Sequence, residues 1–188
     1  MSGNKNSRYG SLIALVGGAV ATGVAILSLP ALKKRALRAT TVLKKDHRVV
    51  SGLFWTLRQA TIPSIRQAIF NKIQTELDVH ATVEEEIFYP AVRNLYSGNA
   101  EAQVEEARRE HEQIRTLCNE VASIDPSSFR FMSKANELKE IIEHHVEEEE
   151  NEMFPLVQRM MSTDDLYNLG RRMHDRKYQL EERERVAA

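Results

Sequence analysis

A single cysteine, Cys118, excludes an internal disulfide and any zinc or iron–sulfur site built on paired cysteines. Prolines number five and glycines eight in 188 residues, so long stretches run without a helix breaker, and no Gly-rich phosphate loop occurs. Nothing alternates with the period of a half-buried strand. Neither sign of charge dominates: 26 basic and 27 acidic residues leave a formal net charge of -1, and bulk electrostatics gives no reason to expect nucleic acid as a partner. What remains is a helical composition, rich in Glu, Arg, Ala and Leu. It is long enough for one domain with a real core and an appendage. The expected fold class is all-α.

The chain opens with a polar segment, 1–11, followed by an uncharged run, LIALVGGAVATGVAILSL, from Leu12 to Leu29. As a helix this run would be roughly 27 Å long, just enough for the hydrocarbon core of a bilayer. It has no polar face, and Lys33, Lys34 and Arg35 follow at once where a signal peptidase would need small residues. The reading is a transmembrane helix at 12–30, with the basic cluster placing the body of the protein in the cytoplasm. A protein that is cytoplasmic throughout is the alternative. Ala14, Gly18 and Thr22 recur every fourth position, so the span is also expected to pair two copies into a homodimer.

A basic linker, 31–42, leads into the body, 43–161, and a polar C-terminal helix occupies 162–188. Within the body, apolar residues recur three and four positions apart, the stripe of a helix with one face on a core. Leu43, His47, Val50, Phe54 and Leu57 form the first stripe, with Trp55 packing beside it. Thr61-Ile-Pro63-Ser64 breaks the chain and offers Ser64 as an N-cap. A second helix, from about Ile65 to Tyr96, carries Ile73, Leu77, His80, Glu84, Ile87 and Ala91, and Pro90 is expected to kink it. The third, about Ala100 to Ser123, carries Val104, Ala107, His111, Ile114, Cys118 and Val121. The fourth, capped from Asp125-Pro-Ser-Ser128, carries Leu138, Ile142, His145, Glu149, Met153 and Leu156.

A histidine and a glutamate in the middle of an apolar stripe are costly unless something compensates them. His80 and Glu84 are four apart, as are His145 and Glu149, which puts each pair on one helix face. Both strings continue alike, His80-Ala-Thr-Val-Glu-Glu-Glu-Ile-Phe-Tyr-Pro90 and His145-Val-Glu-Glu-Glu-Glu-Asn-Glu-Met-Phe-Pro155. These strings stand 65 residues apart, and the lone stripe histidines His47 and His111 stand 64 apart. The chain therefore reads as two similar helical hairpins. Packed face to face they make a four-helix bundle, whose core is a usual place for two metal ions. The candidate ligands are His47, His80, Glu84, His111, His145 and Glu149, two histidines to each metal with both glutamates bridging. Nitrogen and carboxylate donors without thiolate suit iron or manganese, with zinc open as well. His144 and Glu148 repeat the spacing in the wrong register; the stripe and the offset to Pro155 select His145. Cys118 reads as a small core residue and His174 as a surface one.

Four strings, Lys45-Asp-His-Arg48, His80 to Pro90, Glu110-His-Glu112 and His145 to Pro155, resemble the hemerythrin-like, HHE cation-binding family over roughly 43–161. The resemblance implies an up-and-down four-helix bundle, here with an N-terminal hydrophobic helix and an extra C-terminal helix. It also implies a non-haem di-iron centre on the same six residues, with manganese or zinc ranking behind iron. In the oxygen-carrying branch a second histidine follows the third-helix ligand by four residues, where this chain has Arg115. That branch also has an aspartate five residues after the fourth-helix histidine, whereas the aligned carboxylate here comes at four. The ligand count resembles the branch that includes iron–sulfur repair and nitric-oxide-responsive proteins. The expected function is to bind or sense oxygen, nitric oxide or peroxide. A metal-holding structural or storage bundle and a redox enzyme for peroxide or nitric oxide are the alternatives. A small diatomic molecule or peroxide, a membrane and a second copy are the expected partners, and no nucleic acid.

Overall fold

Six helical rods make up the computed structural model of the protein, which describes residues 29–95 and 98–187. α1 (Leu29–Ala36) is one short rod and α2 (Ala39–Gln59) the next. The third joins α3 (Pro63–Val83) to α4 (Tyr89–Arg93) through a π turn, Glu84–Phe88. α5 (Ala100–Ala122) is followed by a rod joining α6 (Phe129–Glu148) to α7 (Phe154–Met160) through a second π turn, Glu149–Met153. α8 (Thr163–Ala187) then packs on α2 and α3. Four rods pair as the two expected hairpins, and α1 and α8 make the whole a six-helix rather than a four-helix bundle.

The expected membrane anchor is corrected. Among the described residues no helix is long and apolar enough to cross a membrane. The helix described at this end, α1, has 8 residues and carries Lys33, Lys34 and Arg35. The uncharged run at 12–28 and the polar segment before it lie outside the described residues. The single-pass topology, the membrane partner and the dimer argued from that span are withdrawn with it.

The stripes bury as their spacing requires, and the polar layer divides the core in two. On one side Leu43, Val83, Tyr89, Val104, Phe154 and Val157 pack with Leu166, Leu169 and Met173 of α8. On the other, Val50, Phe54, Leu77, Ile114, Cys118 and Ile142 form a second cluster. α8 thus adds three core side chains and does not merely lie along the bundle. Trp55 is the exception on α2: at 62% exposure it packs on little. Ser64 does not cap, since α3 starts at Pro63 with Ile62 before it and no side-chain bond to the turn. Ser128 does cap, accepting a hydrogen bond from the Arg130 N–H.

The kink expected at Pro90 takes the form of the π turn. Proline has no N–H, and its ring collides with the carbonyl four residues back in an α-helix. Inserting one residue into the turn relieves this. Tyr89 N–H then donates to the Glu84 carbonyl, and Phe154 N–H to that of Glu149, five residues back. The buried face is displaced accordingly. Phe88, Tyr89 and Val92 go inside, whereas Ile87 and Ala91 are only partly covered; Phe154 and Val157 bury more deeply than Leu156.

Candidate metal centre

All six candidate ligands are buried, and their side chains meet in the layer between the two apolar halves. His47 and His80 bring their Nε2 atoms within 3.2 Å of each other, and His111 and His145 do the same at 3.2 Å. Glu84 Oε2 lies 3.2 Å from His80 Nε2 and 3.3 Å from His111 Nε2, spanning the two pairs. Glu149 Oε2 spans them too, 3.3 Å from His47 Nε2 and 3.8 Å from His145 Nε2. Two ligand groups result, sharing Glu84: His47, His80, Glu84 and Glu149 in one, Glu84, His111 and His145 in the other, each with donor atoms within 4.8 Å. His144 is turned outward, its side chain 65% exposed, and groups instead with the buried Glu110 and the half-buried Glu148.

Each imidazole has its far nitrogen turned to a carboxylate. His47 Nδ1 meets Glu150 at 2.9 Å, His111 Nδ1 meets Glu85 at 2.8 Å, and His145 Nδ1 meets Glu110 at 2.8 Å. His80 Nδ1 faces Asp46 at 3.8 Å, too far for a hydrogen bond. The three bonded carboxylates place a proton on Nδ1 of His47, His111 and His145 and leave the Nε2 of each neutral ring with its lone pair facing inward. The Nε2 lone pairs of His111 and His145, 3.2 Å apart, repel unless a cation stands between them. Glu84 Oε1 and Glu149 Oε2 are buried without a hydrogen-bond partner, which is costly for the same reason. The residues present therefore fit a metal, and outer carboxylates that orient imidazoles are what a metal site calls for.

The electrostatics of the layer follow from burial and proximity. Burial drives Glu84 well above the ordinary carboxylate range, and the charge of Glu149 adds to the push. Burial would raise Glu149 as well, but His145 and His47 outweigh it and hold it low. One carboxyl of the pair thus keeps its proton while the other is charged. Burial would lower His47, yet Glu149, Glu84 and Glu150 together raise it. His145 is raised in the same way against its burial, by Glu149, Glu110 and Glu84. His80 goes the other way: burial pushes it down to about 4 despite Asp46. Glu85 falls to about 2, held by the hydrogen bond from His111 and by Arg115.

Two aromatic side chains complete the layer, and the stripes did not single them out. Tyr89 stacks on His111 with ring centroids 5.6 Å apart, and Phe154 on His47 at 5.9 Å. The Tyr89 hydroxyl donates to Glu149 Oε1 at 3.0 Å, with Glu84 Oε2 at 3.4 Å and His111 Nε2 at 3.3 Å. The repeated aromatic-Pro ending of both strings was the signal; the π turn that swings it inward was not visible. Arg115 does not join the layer. It is clamped by Glu85 at 2.5 Å and Glu112 at 3.3 Å. Cys118 is a buried core residue whose thiol burial pushes up to about 12. His174 is a surface residue, its side chain 60% exposed.

A buried His/Glu layer shared by two helical hairpins defines a class, the metal-binding helical bundles. The sequence profile of the hemerythrin HHE cation binding domain matches residues 38–157, and the chain belongs to that family. A crystal structure of a hemerythrin HHE cation binding domain-containing protein from Mycobacterium kansasii superposes with a TM-score of 0.68 at 28% identity, covering 76% of this chain and 86% of that one. A hemerythrin-like protein of Schizosaccharomyces pombe is 22% identical over 74% of this chain and 68% of its own length. A Nostoc protein named as a DNA nickase is 31% identical over 157 residues, which are 84% of this chain and 43% of that protein. The chain thus spans less than half of that relative. The relative corrects the exclusion of nucleic acid: near-neutral overall charge does not rule out such a partner.

Proposed function

We propose that the chain is a non-haem di-iron protein that binds or senses oxygen, nitric oxide or peroxide. His47 and His80 would hold one iron and His111 and His145 the other, with Glu84 and Glu149 supplying carboxylates between the two pairs. One observation carries this reading: four Nε2 atoms and two carboxylates converge in one buried layer, with the Nδ1 atoms turned out to carboxylates. Donors of nitrogen and oxygen without thiolate favour iron, with manganese next. Such a pair of metals would supply electrons and an open position for a small ligand.

The protein's own part is to hold, orient and select. Tyr89 fixes one oxygen of Glu149 by its hydroxyl. A cavity of about 20 Å³, lined by Leu77, Ile114, Ile142 and Val146 beside the four histidines, takes a guest the size of a water or a diatomic molecule. Most of its wall is apolar and favours an uncharged guest, and Asp78 and Arg115 also line it.

The test is iron content and the visible spectrum of protein made in iron-replete cells and purified in air. Two irons per chain are expected, with bands that bleach under dithionite, return with oxygen or peroxide, and give way to new bands with nitric oxide. One metal per chain, or zinc alone, sinks the di-iron reading; bound iron that ignores all these reagents leaves a storage bundle. The Nostoc relative's name favours a second reading, in which the chain acts on DNA. Conversion of supercoiled plasmid to open circles by the iron-loaded protein would support it, and intact plasmid would count against it.

A further inference from the structure

The two halves of the centre differ inside the layer, where Tyr89 stacks on His111 and Phe154 on His47, and at one outer carboxylate, where the difference comes from α8. Asp46 precedes His47 as Glu110 precedes His111, and each carboxylate faces the second histidine of its own hairpin. Glu110 Oε2 accepts directly from His145 Nδ1 at 2.8 Å. Asp46 Oδ2 stays 3.8 Å from His80 Nδ1, which has no hydrogen-bond partner, because Asp46 Oδ1 accepts instead from Lys177 Nζ at 2.7 Å. Lys177 is itself largely covered, its side chain 17% exposed, and reaches Glu76 at 3.3 Å and Glu181 at 3.8 Å. On the other half the other oxygen of Glu110 faces the exposed His144 at 3.8 Å, and among the described residues no lysine forms an ion pair with Glu110.

We propose that Lys177 is a positioning residue of the metal centre: by holding Asp46 off His80 it makes the His47/His80 side electronically unlike the His111/His145 side. The proposal rests on the metal reading above. Lys177 lies beyond residues 38–157, the part matched by the family profile, so this chain's C-terminal helix does more than cover the bundle. A carboxylate bonded to the far nitrogen of a liganding imidazole makes that ligand more basic. Without Lys177, Asp46 is free to close on His80, and a positive charge is lost near the centre. Both changes stabilise the oxidised metal, so they act in the same direction.

The experiment is a reductive titration of the iron-loaded full chain, followed by its visible spectrum, together with iron content. Lys177→Met should shift a midpoint potential to more negative values, and Lys177→Arg, which keeps the cation, should restore it. Arg176→Met is the control. Arg176 also fixes α8, through a bidentate pair with Glu86, but contacts neither Asp46 nor a histidine. Lys177→Met leaves Asp46 and Glu76 facing each other, so the double variant Lys177→Met/Glu76→Gln provides the same reading should the single one not fold. Potentials unchanged in Lys177→Met, or shifted equally in Arg176→Met, overturn the proposal while the metal reading stands. A wild-type chain that takes up no iron overturns the metal reading first, and this one with it.

Discussion

His144 and His145 are neighbours in sequence with identical side chains, yet only one faces the layer. His145 is 3% exposed and bonded to Glu110, whereas the side chain of His144 is 65% exposed. His145→Ala should therefore strip metal, and His144→Ala should leave most of it, as read by iron content of the purified variants. Equal losses, or the reverse order, would undo the assignment of register. The spacing of the stripe was enough to make that choice, because a helix turns a one-residue slip into about 100° of rotation. The outer carboxylates were less legible. Asp46 and Glu110 stood out only as matching positions of the repeat, since a surface glutamate and one that steers an imidazole look alike in sequence. The same residues set a pH dependence. His47 and His145 are raised by their carboxylate neighbours, so as pH falls toward the ordinary histidine range and below they carry protons that a metal must displace. Metal affinity should rise with pH until both are neutral and then level off, measurable by competition with a chelator whose own protonation is corrected for. An affinity that falls with rising pH over this interval would contradict the assignment of these two as ligands.

At the scale of elements, helical periodicity located the four long rods and failed where the period itself changed. The two π turns insert a residue immediately after His80–Val83 and His145–Glu148, so every buried position beyond them is displaced by one. A stripe extended at constant pitch selects Ile87, Ala91 and Leu156, and the chain buries Phe88, Val92 and Val157 instead. Pro90 and Pro155 marked the disturbance without giving its size, since a proline can be met by a kink, a break or a widened turn. α8 was legible only as a polar helix, because its three core residues are diluted among charges. Its docking depends on Gly170. A Cβ there would run into the Leu37 carbonyl and lie 2.6 Å from Ala39 N, both backbone atoms at the joint of α1 and α2. Gly170→Ala should therefore destabilise, by about 1–3 kcal/mol as overpacking does, despite alanine's better helix propensity. A denaturant midpoint at or above that of the wild type would show that α8 does not pack there.

For the molecule as a whole, the buried polar layer is a cost that a bound metal would turn into a contribution. Four imidazoles and two carboxylates divide what would otherwise be one continuous core, and the two apolar clusters on either side cannot close over them. Glu84 and Glu149 are wholly buried beside each other, and one of the two keeps its proton as the least costly arrangement. A cation that binds here satisfies both carboxylates and relieves the facing Nε2 lone pairs, and it does none of this in the unfolded chain. Binding to the folded state alone stabilises by about 4 kcal/mol when free metal exceeds Kd a thousandfold. For a chain of this length each kcal/mol moves the melting temperature by roughly 2–4 °C. Iron-loaded protein should accordingly melt about 8–16 °C above protein stripped with chelator, in scans at matched pH and protein concentration. Glu149→Gln keeps the size of the side chain and removes the charge that bridges both halves. It should lose most of that difference by raising the melting temperature of the stripped protein or lowering that of the loaded one. A wild type that melts at the same temperature with and without iron would mean that the layer is stable as it stands and that the six residues do not hold metal.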